Sequence, residues 1–541
     1  MKGEIQKIIE KATGISNLII EKPKDPSHGD YSTSVALVLA KKLGKNPIDI
    51  AQEIVGKIKN NLFEKIEVAP PGFINFYLLK DYFIKNVKNI NKDFGRNNNL
   101  KNKKVIVEFT DPNILKEFHI GHLMSNAIGE SIARIFEFQN AKVKRTTWQS
   151  DVGLGIAKAV FGKIQQLNLS WQEAYVLGTK LYEEDQNAKA EIITLNKKIF
   201  ERSDREINAL YDEGKKWSLE NFEAMYEKLG SDFDYLIFES QAVNLAKKIV
   251  KDGFKKGIFE TGAKGAIVFK GEKFGLHTRV FINSEGLPTY EAKELALAQI
   301  KYKKYAYDKS VIITGNDINE YFKVLLTVMK QIFPKLQEKT THIGHGNMRL
   351  PEGKMSSRAG KVVTAEFLIE KVKEMVRQKA NNKTLDDTTI EVIAIGAIKY
   401  SILKQSIGSD IIYDFERSIS FEGDSGPYLQ YSYVRAISVL EKAKKEKVKP
   451  SFKNVPNITI LEKLLCRFPE EIEKAGKMHE PHLIATYLTE LAREFNNYYA
   501  KNKIVDKGDK FSPYKVAVTQ AFSIIMKNGL WLLGISVPNK M

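Results

Sequence analysis

The sequence predicts a multidomain α/β protein with a parallel sheet near its centre and an all-helical C-terminal end. Three observations carry this. At 541 residues the chain is too long for a single hydrophobic core. The segment Val105 to Glu130 reads as strand, turn and helix in immediate succession. From Gly426 onward the apolar residues keep helical spacing to the end.

Residues 1–85 begin with an amphipathic helix, MKGEIQKIIEKATG, whose acidic residues rule out a signal peptide. His28-Gly29-Asp30-Tyr31-Ser32-Thr33, a helix Val35 to Leu43, Gly44-Lys45-Asn46-Pro47 and a strand-like VAPPGFINFYL (Val68 to Leu78) follow, the pattern of a small α+β domain. The Asn- and Lys-rich stretch 86–104 reads as a linker.

An α/β domain then spans 105–365. Its first strand, Val105 to Phe109, is β-branched and apolar, as a sheet covered on both faces requires. Asp111-Pro112-Asn113 ends it, because proline cannot donate to a ladder and disfavours helix in the residue before it. His119-Ile120-Gly121-His122 leads into a helix, Leu123 to Phe138. At such a turn the free N–H groups and the helix dipole gather anions. The imidazoles of His119 and His122 can donate to phosphate, and Gly121 lets the backbone approach a flat ring. The competing reading makes them core or capping histidines.

A second strand, Lys142 to Trp148, is followed by Ser150-Asp151-Val152-Gly153. Residues 160–260 read as a charged helical insertion between the two halves of the sheet. Strands resume at Gly265 to Phe269 and Thr278 to Ile282. A helix from Glu291 to Ile300 and a strand from Ser310 to Thr314 ending at Gly315-Asn316-Asp317 come next. Residues 366–425 form a helical connecting region, and 426–541 the helical end.

His-Ile-Gly-His occurs twice. The second copy, His342 to His345, precedes Gly346-Asn347 and Arg349-Leu350-Pro351, which cannot continue as a helix, so it reads as structural. Downstream, Gly353-Lys354-Met355-Ser356-Ser357-Arg358-Ala359-Gly360-Lys361 is a small-residue loop carrying cations that can close over a polyphosphate.

The chain carries 84 basic and 66 acidic residues, net +18. That fits a polyanionic partner, but Lys and Asn abundance throughout weakens the inference. A single cysteine, Cys466, excludes disulfides and cysteine metal clusters and fits a reducing compartment. No apolar run is long enough to span a bilayer.

The first HIGH string and the KMSSR loop resemble the ATP motifs of class I aminoacyl-tRNA synthetases. The N-terminal GDYST, GKNP and PGFIN strings and the LLGI-x-x-P-x-x-M ending (Leu532 to Met541) resemble the arginyl-tRNA synthetase family. The resemblance implies a class I synthetase Rossmann-like parallel sheet with a helical insertion. It adds a small N-terminal domain for the tRNA elbow, stem contacts from 366–425 and an anticodon-binding C-terminal domain. In it Asn496, Asn497, Tyr498 and Tyr499 are candidates for base contacts.

It also implies catalytic roles for His119, Gly121, His122, Lys354, Ser356 and Arg358. ATP contacts fall to His119, Gly121, His122, Lys354 and Met355. Arginine contacts fall to Glu108, Asn113, Tyr290, Glu294 and Asn316. A guanidinium in a dry pocket needs carboxylates, and helical spacing puts Tyr290 and Glu294 on one face. The competing reading leaves Lys293 and Glu294 as solvated helix residues. Glu294 stands where the family usually has Asp, and which of Lys354, Arg358 and Lys361 meets pyrophosphate is open.

The expected activity is arginine–tRNA ligation with ATP as its Mg2+ complex and no protein-ligated metal. The expected partners are L-arginine, ATP and tRNA(Arg), with no membrane, for a cytoplasmic monomer. Another class I synthetase and a non-catalytic RNA-binding relative are the rival readings.

Overall fold

The computed structural model describes every residue except Met1, Asn17, Lys24, Asn60, 352–362 and 380–384. The KMSSR residues Lys354, Met355, Ser356, Arg358 and Lys361 therefore lie outside the described residues. The chain divides into two compact units.

The first unit comprises 1–95, 435–474 and 490–528. Strands β1 (Tyr31–Thr33), β2 (Phe63–Ala69) and β3 (Phe73–Leu78) form an antiparallel sheet in the order β1-β3-β2. Ile5, Ile9, Ile50, Ile54, Ile74 and Phe76 bury its core. The sequence Gly44-Lys45-Asn46-Pro47 is punctuation between helices. Gly44 ends one in the left-handed region, the Asn46 side chain accepts from Ile48 N, and Pro47 opens the next. Asp30 accepts from Leu78 N and pairs with Lys463 at 2.7 Å, and the Tyr31 hydroxyl donates to Glu470. This motif has a structural reason for its composition.

The second unit comprises 96–434, 475–489 and 529–541. Its parallel sheet holds β4 (Lys104–Glu108), β5 (Lys142–Gln149), β6 (Tyr235–Phe238), β10 (Lys309–Gly315) and β11 (Thr340–His345). The order is β11-β10-β4-β5-β6. Val105, Ile106, Val107, Val311 and Ile313 are fully buried, as strands covered on both faces must be. The chain runs outward from β4 to β6 on one side and from β10 to β11 on the other. The β4–β10 boundary is thus the switch point where loops diverge and ligands bind.

Two expectations need correction. β6 lies inside the segment read as a helical insertion, yet it pairs with β5 as an edge strand of the main sheet. Conversely, β7 (Glu260–Thr261), β8 (Ile267–Phe269) and β9 (Arg279–Ile282) form a separate antiparallel sheet. The short connections between them cannot make the long crossovers that parallel pairing needs.

The helix Ile120–Phe138 is buried nearly all round. Its far side meets the chain's tail: Ser131 donates to Leu532 O and Arg134 to Trp531 O. No helix among the described residues is long and apolar enough to cross a membrane.

Candidate active site

The turn after β4 builds the site. Thr110 and Asp111 both adopt positive φ, 79° and 43°, which costs energy for residues with a Cβ. Side chains hold the turn in place. Thr110 N donates to Ser125 Oγ, Asn126 Nδ2 donates to Thr110 Oγ1, and Trp148 N donates to Asp111 Oδ1 at 2.7 Å. The chain then bridges to the end of β5, with Ile114 N donating to Ser150 O. This delivers Asn113 to the switch point.

His119 caps the next helix. Its Nδ1 accepts from the backbone N of Gly121 and His122, and His122 Nδ1 accepts from His119 N. The two rings stack with centroids 3.5 Å apart. Both Nδ1 atoms being acceptors, each neutral ring carries its proton on Nε2. Burial lowers the His119 pKa to about 4 and pulls His122 well below the usual value, so both rings are neutral donors. The cap reading is thus true of His119, and capping through Nδ1 leaves its Nε2–H for the cavity that it lines.

The expectation of free amides at this helix start is corrected. Ile120 N donates to Val363 O, Gly121 N and His122 N to the His119 ring, and Leu123 N to His119 O. An anion here meets side chains rather than backbone. A Cβ on Gly121 would come within 3.0 Å of the His119 ring, so the flat ring that this glycine admits is its neighbour's.

Two cavities open at the switch point. The larger, about 320 Å³, is lined by Asn113, Lys116, His119, Gly121, Tyr175 and His345 among others. His122 is not on its wall; it stands behind His119 and packs on Phe118. The smaller, about 230 Å³, is lined by Asn113, Lys116, Ser150, Glu239, Tyr290 and Lys293 among others. Asn113 and Lys116 belong to both. The segment leaving 352–362 is tied to the same place, since Ala365 N donates to Phe118 O.

The carboxylate on the wall of the smaller cavity is Glu239, which the sequence reading did not single out. It sits at the C-terminal end of β6, 1% exposed. Lys293 Nζ donates to its Oε2, and the Ser150 side chain also stabilises the carboxylate. Asp151 anchors it from behind, accepting from Ser240 N and Oγ, Tyr211 and Lys215. Lys293 and Glu294 are buried rather than solvated, at 5% and 3% exposure.

Glu108 and Glu294 do not line the cavity. Glu108 Oε2 accepts from Lys301 Nζ at 2.6 Å, with both side chains 2% exposed. Glu294 lies within electrostatic reach of Tyr290, Glu239 and Asp111. Asn316 is also off this wall, and its Oδ1 accepts from Asn347, a residue of the larger cavity. In the first unit Tyr498 is buried, while Tyr499 is half-exposed under the Arg435 guanidinium at 5.0 Å, and Arg435 donates to Asn496.

A family model described as tRNA synthetases class I (R), catalytic domain, matches residues 85–415. Models for the arginyl tRNA synthetase N-terminal domain and the DALR anticodon binding domain match 1–78 and 429–541. The chain belongs to the arginyl-tRNA synthetase family. It is 30% identical to the arginine–tRNA ligase of Halothermothrix orenii over 552 residues, covering 97% of this chain and 95% of that one. It is 30% identical to that of Clostridium perfringens over 554 residues, covering 97% and 96%. The arginyl-tRNA synthetase of Thermus thermophilus shares the fold with TM-score 0.80 at 22% identity, covering 100% of both chains.

Within this family frame, the residues missed from sequence are Lys116, Tyr175, His345 and Glu239. Lys116 had a signal, as a lone cation between the turn and His119. Glu239 had none, because only the pairing of β6 into the sheet brings it to the site.

Proposed function

We infer that the chain is an arginine–tRNA ligase: it joins L-arginine to ATP, giving arginyl-adenylate and pyrophosphate, and transfers the arginyl group to the 3′-terminal adenosine of tRNA(Arg). The observation that carries the site assignment is the pair of adjoining cavities. One is walled by a neutral imidazole and a lysine, the other by a buried carboxylate, and they share Asn113 and Lys116.

ATP, entering as its Mg2+ complex, occupies the larger cavity with its phosphates toward His119 Nε2–H and Lys116. Arginine occupies the smaller, its guanidinium on Tyr290 and Glu239 with Glu294 behind, its carboxylate directed by Asn113 toward the α-phosphate. In-line attack then needs no protein nucleophile. Positioning and stabilisation of the extra phosphoryl charge supply the acceleration. Lys354, Ser356, Met355 and Arg358 are proposed to close over the departing pyrophosphate. The helical C-terminal domain takes the anticodon, and the ligase works as a cytoplasmic monomer.

ATP–pyrophosphate exchange with each of the twenty amino acids, with and without tRNA, tests this. Exchange with arginine alone is expected. Exchange with another amino acid overturns the pocket, and exchange with none overturns the enzyme. Glu239→Gln should raise the KM for arginine at least tenfold, about the loss of one charged hydrogen bond, and leave that for ATP unchanged.

A further inference from the structure

The smaller cavity backs onto more buried acid than buried base. Glu108 on β4, Asp111 in the turn and Glu239 at the end of β6 all act on Glu294 of the helix Tyr290–Lys304, and Glu108 acts on Asp111 as well. Two lysines from that same helix face them, Lys301 and Lys293, and each already has a partner: Lys301 holds Glu108, and Lys293 holds Glu239. Asp111 Oδ1 accepts from a backbone amide. Glu294 has no cation of its own. It is 3% exposed, and its Oε2 has no hydrogen-bond partner among the described residues. The other ionisable groups around it are phenols, Tyr290 on its own helix and Tyr321 on the helix Asn319–Ile332. The Tyr321 hydroxyl likewise lacks a partner.

An ionised Glu294 in this place would be a bare charge out of water beside another carboxylate. Burial and, after it, Glu108 push the carboxyl well above its usual range. Lys301 pulls it back only in part. Burial, the largest influence, works against that ammonium too, but Glu108, Tyr307 and Glu294 together raise it above its usual value, and its hydrogen bond goes to Glu108.

Resting on the arginine pocket read above, we propose that Glu294 stands in the empty enzyme as the neutral acid and ionises when a guanidinium enters, so that each arginine bound sends a proton to solvent. The O–H bond of the carboxyl breaks, its proton passes to buffer, and the guanidinium keeps all of its own protons. One negative charge appears as one positive charge arrives, and the buried charge sum is unchanged. Lys301 is the positioning residue of this exchange. By neutralising Glu108 it leaves Glu294 as the group whose charge waits for the ligand. The pocket thereby selects for a cation, because a neutral side chain of the same shape brings nothing to offset the ionised acid.

Calorimetric titration of L-arginine into the full-length enzyme at neutral pH, in buffers of high and low ionisation enthalpy, counts the protons. About one proton released per arginine is expected for the natural enzyme, and none for Glu294→Gln. Glu294→Asp keeps a carboxyl and should keep the release, which separates loss of the acid from loss of shape. ATP titrated into each variant checks that the site is folded. The affinity for arginine should rise about tenfold per pH unit while the empty site is protonated and the complex ionised, a slope that Glu294→Gln flattens.

Arginine binding without proton release overturns the proposal. Release that survives Glu294→Gln but disappears in Asp111→Asn overturns the assignment to Glu294. An enzyme that binds ATP but shows no arginine binding refutes the arginine pocket itself, a different failure from either.

Discussion

The chain carries His-Ile-Gly-His twice, and the two copies are built into different kinds of element. The first, 119–122, starts a buried helix directly after the central strand β4. Its rings accept backbone N–H through Nδ1, and His119 lines the larger cavity. The second, 342–345, is the end of the edge strand β11. There the alternation of a strand sends neighbouring side chains to opposite faces. His342 stacks on Phe322 with centroids 3.7 Å apart and shares a hydrogen bond with Thr314. His345, by contrast, lines the larger cavity. Its Nδ1 donates to Gly346 O, so its Nε2 is an acceptor. The two copies thus face one cavity with opposite polarity, a donor at His119 and an acceptor at His345. A phosphate suits the first, and an amino or hydroxyl group of the nucleoside suits the second. Position in the sheet, not the string, decides the chemistry.

The largest effect should come from His119→Ala. It removes a donor placed for the phosphates and the cap of the helix together, and arginyl-adenylate formation should fall by about a hundredfold or more in pyrophosphate exchange. His345→Ala should be milder. Losing one acceptor, worth about 1 kcal/mol, should raise the KM for ATP by less than about tenfold and leave that for arginine alone. His342→Ala should do neither. It removes a stacked, hydrogen-bonded ring and should destabilise the fold by about 1–3 kcal/mol in chemical denaturation. Exchange per folded molecule should stay intact. Were His342→Ala to match His119→Ala in exchange, the site would be on the wrong histidine pair.

The same contrast shows what was legible in the sequence. Strand, Asp111-Pro112-Asn113 and helix could be read because each rests on neighbours: β-branched residues, a proline, a helical period. What could not be read depends on pairings between distant segments. Glu239 is a binding candidate only because β6 lies against β5, and Glu108 is held back only because Lys301, far along the chain, reaches it. The occupied amides at the helix start were also hidden, since the choice between capping and ligand binding turns on which ring nitrogen faces inward. Charge was a poor guide. The net +18 says less about this pocket than its excess of buried acid does.

The smallest expected effect is one in which the two copies behave alike. Burial lowers the pKa of His119 and of His342 to about 4, while an unfolded chain titrates near about 6.5. Between those values the unfolded chain binds protons that the folded one refuses, so stability rises with pH and is lost as pH falls from about 6.5 toward about 4. Glu294 works in the opposite sense: its raised pKa contributes stability in acid that is lost as pH rises through its folded value. Differences between variants therefore isolate the histidines better than the natural enzyme's own profile. Both His119→Ala and His342→Ala should flatten the fall of Tm between those pH values, because each removes a ring that must stay neutral to remain buried. Exchange measured per folded molecule should show no loss from imidazole protonation down to about pH 5. A sharp loss of exchange near about pH 6.5 would mean that His119 titrates freely, and that the cap holding it neutral is not present in the working enzyme.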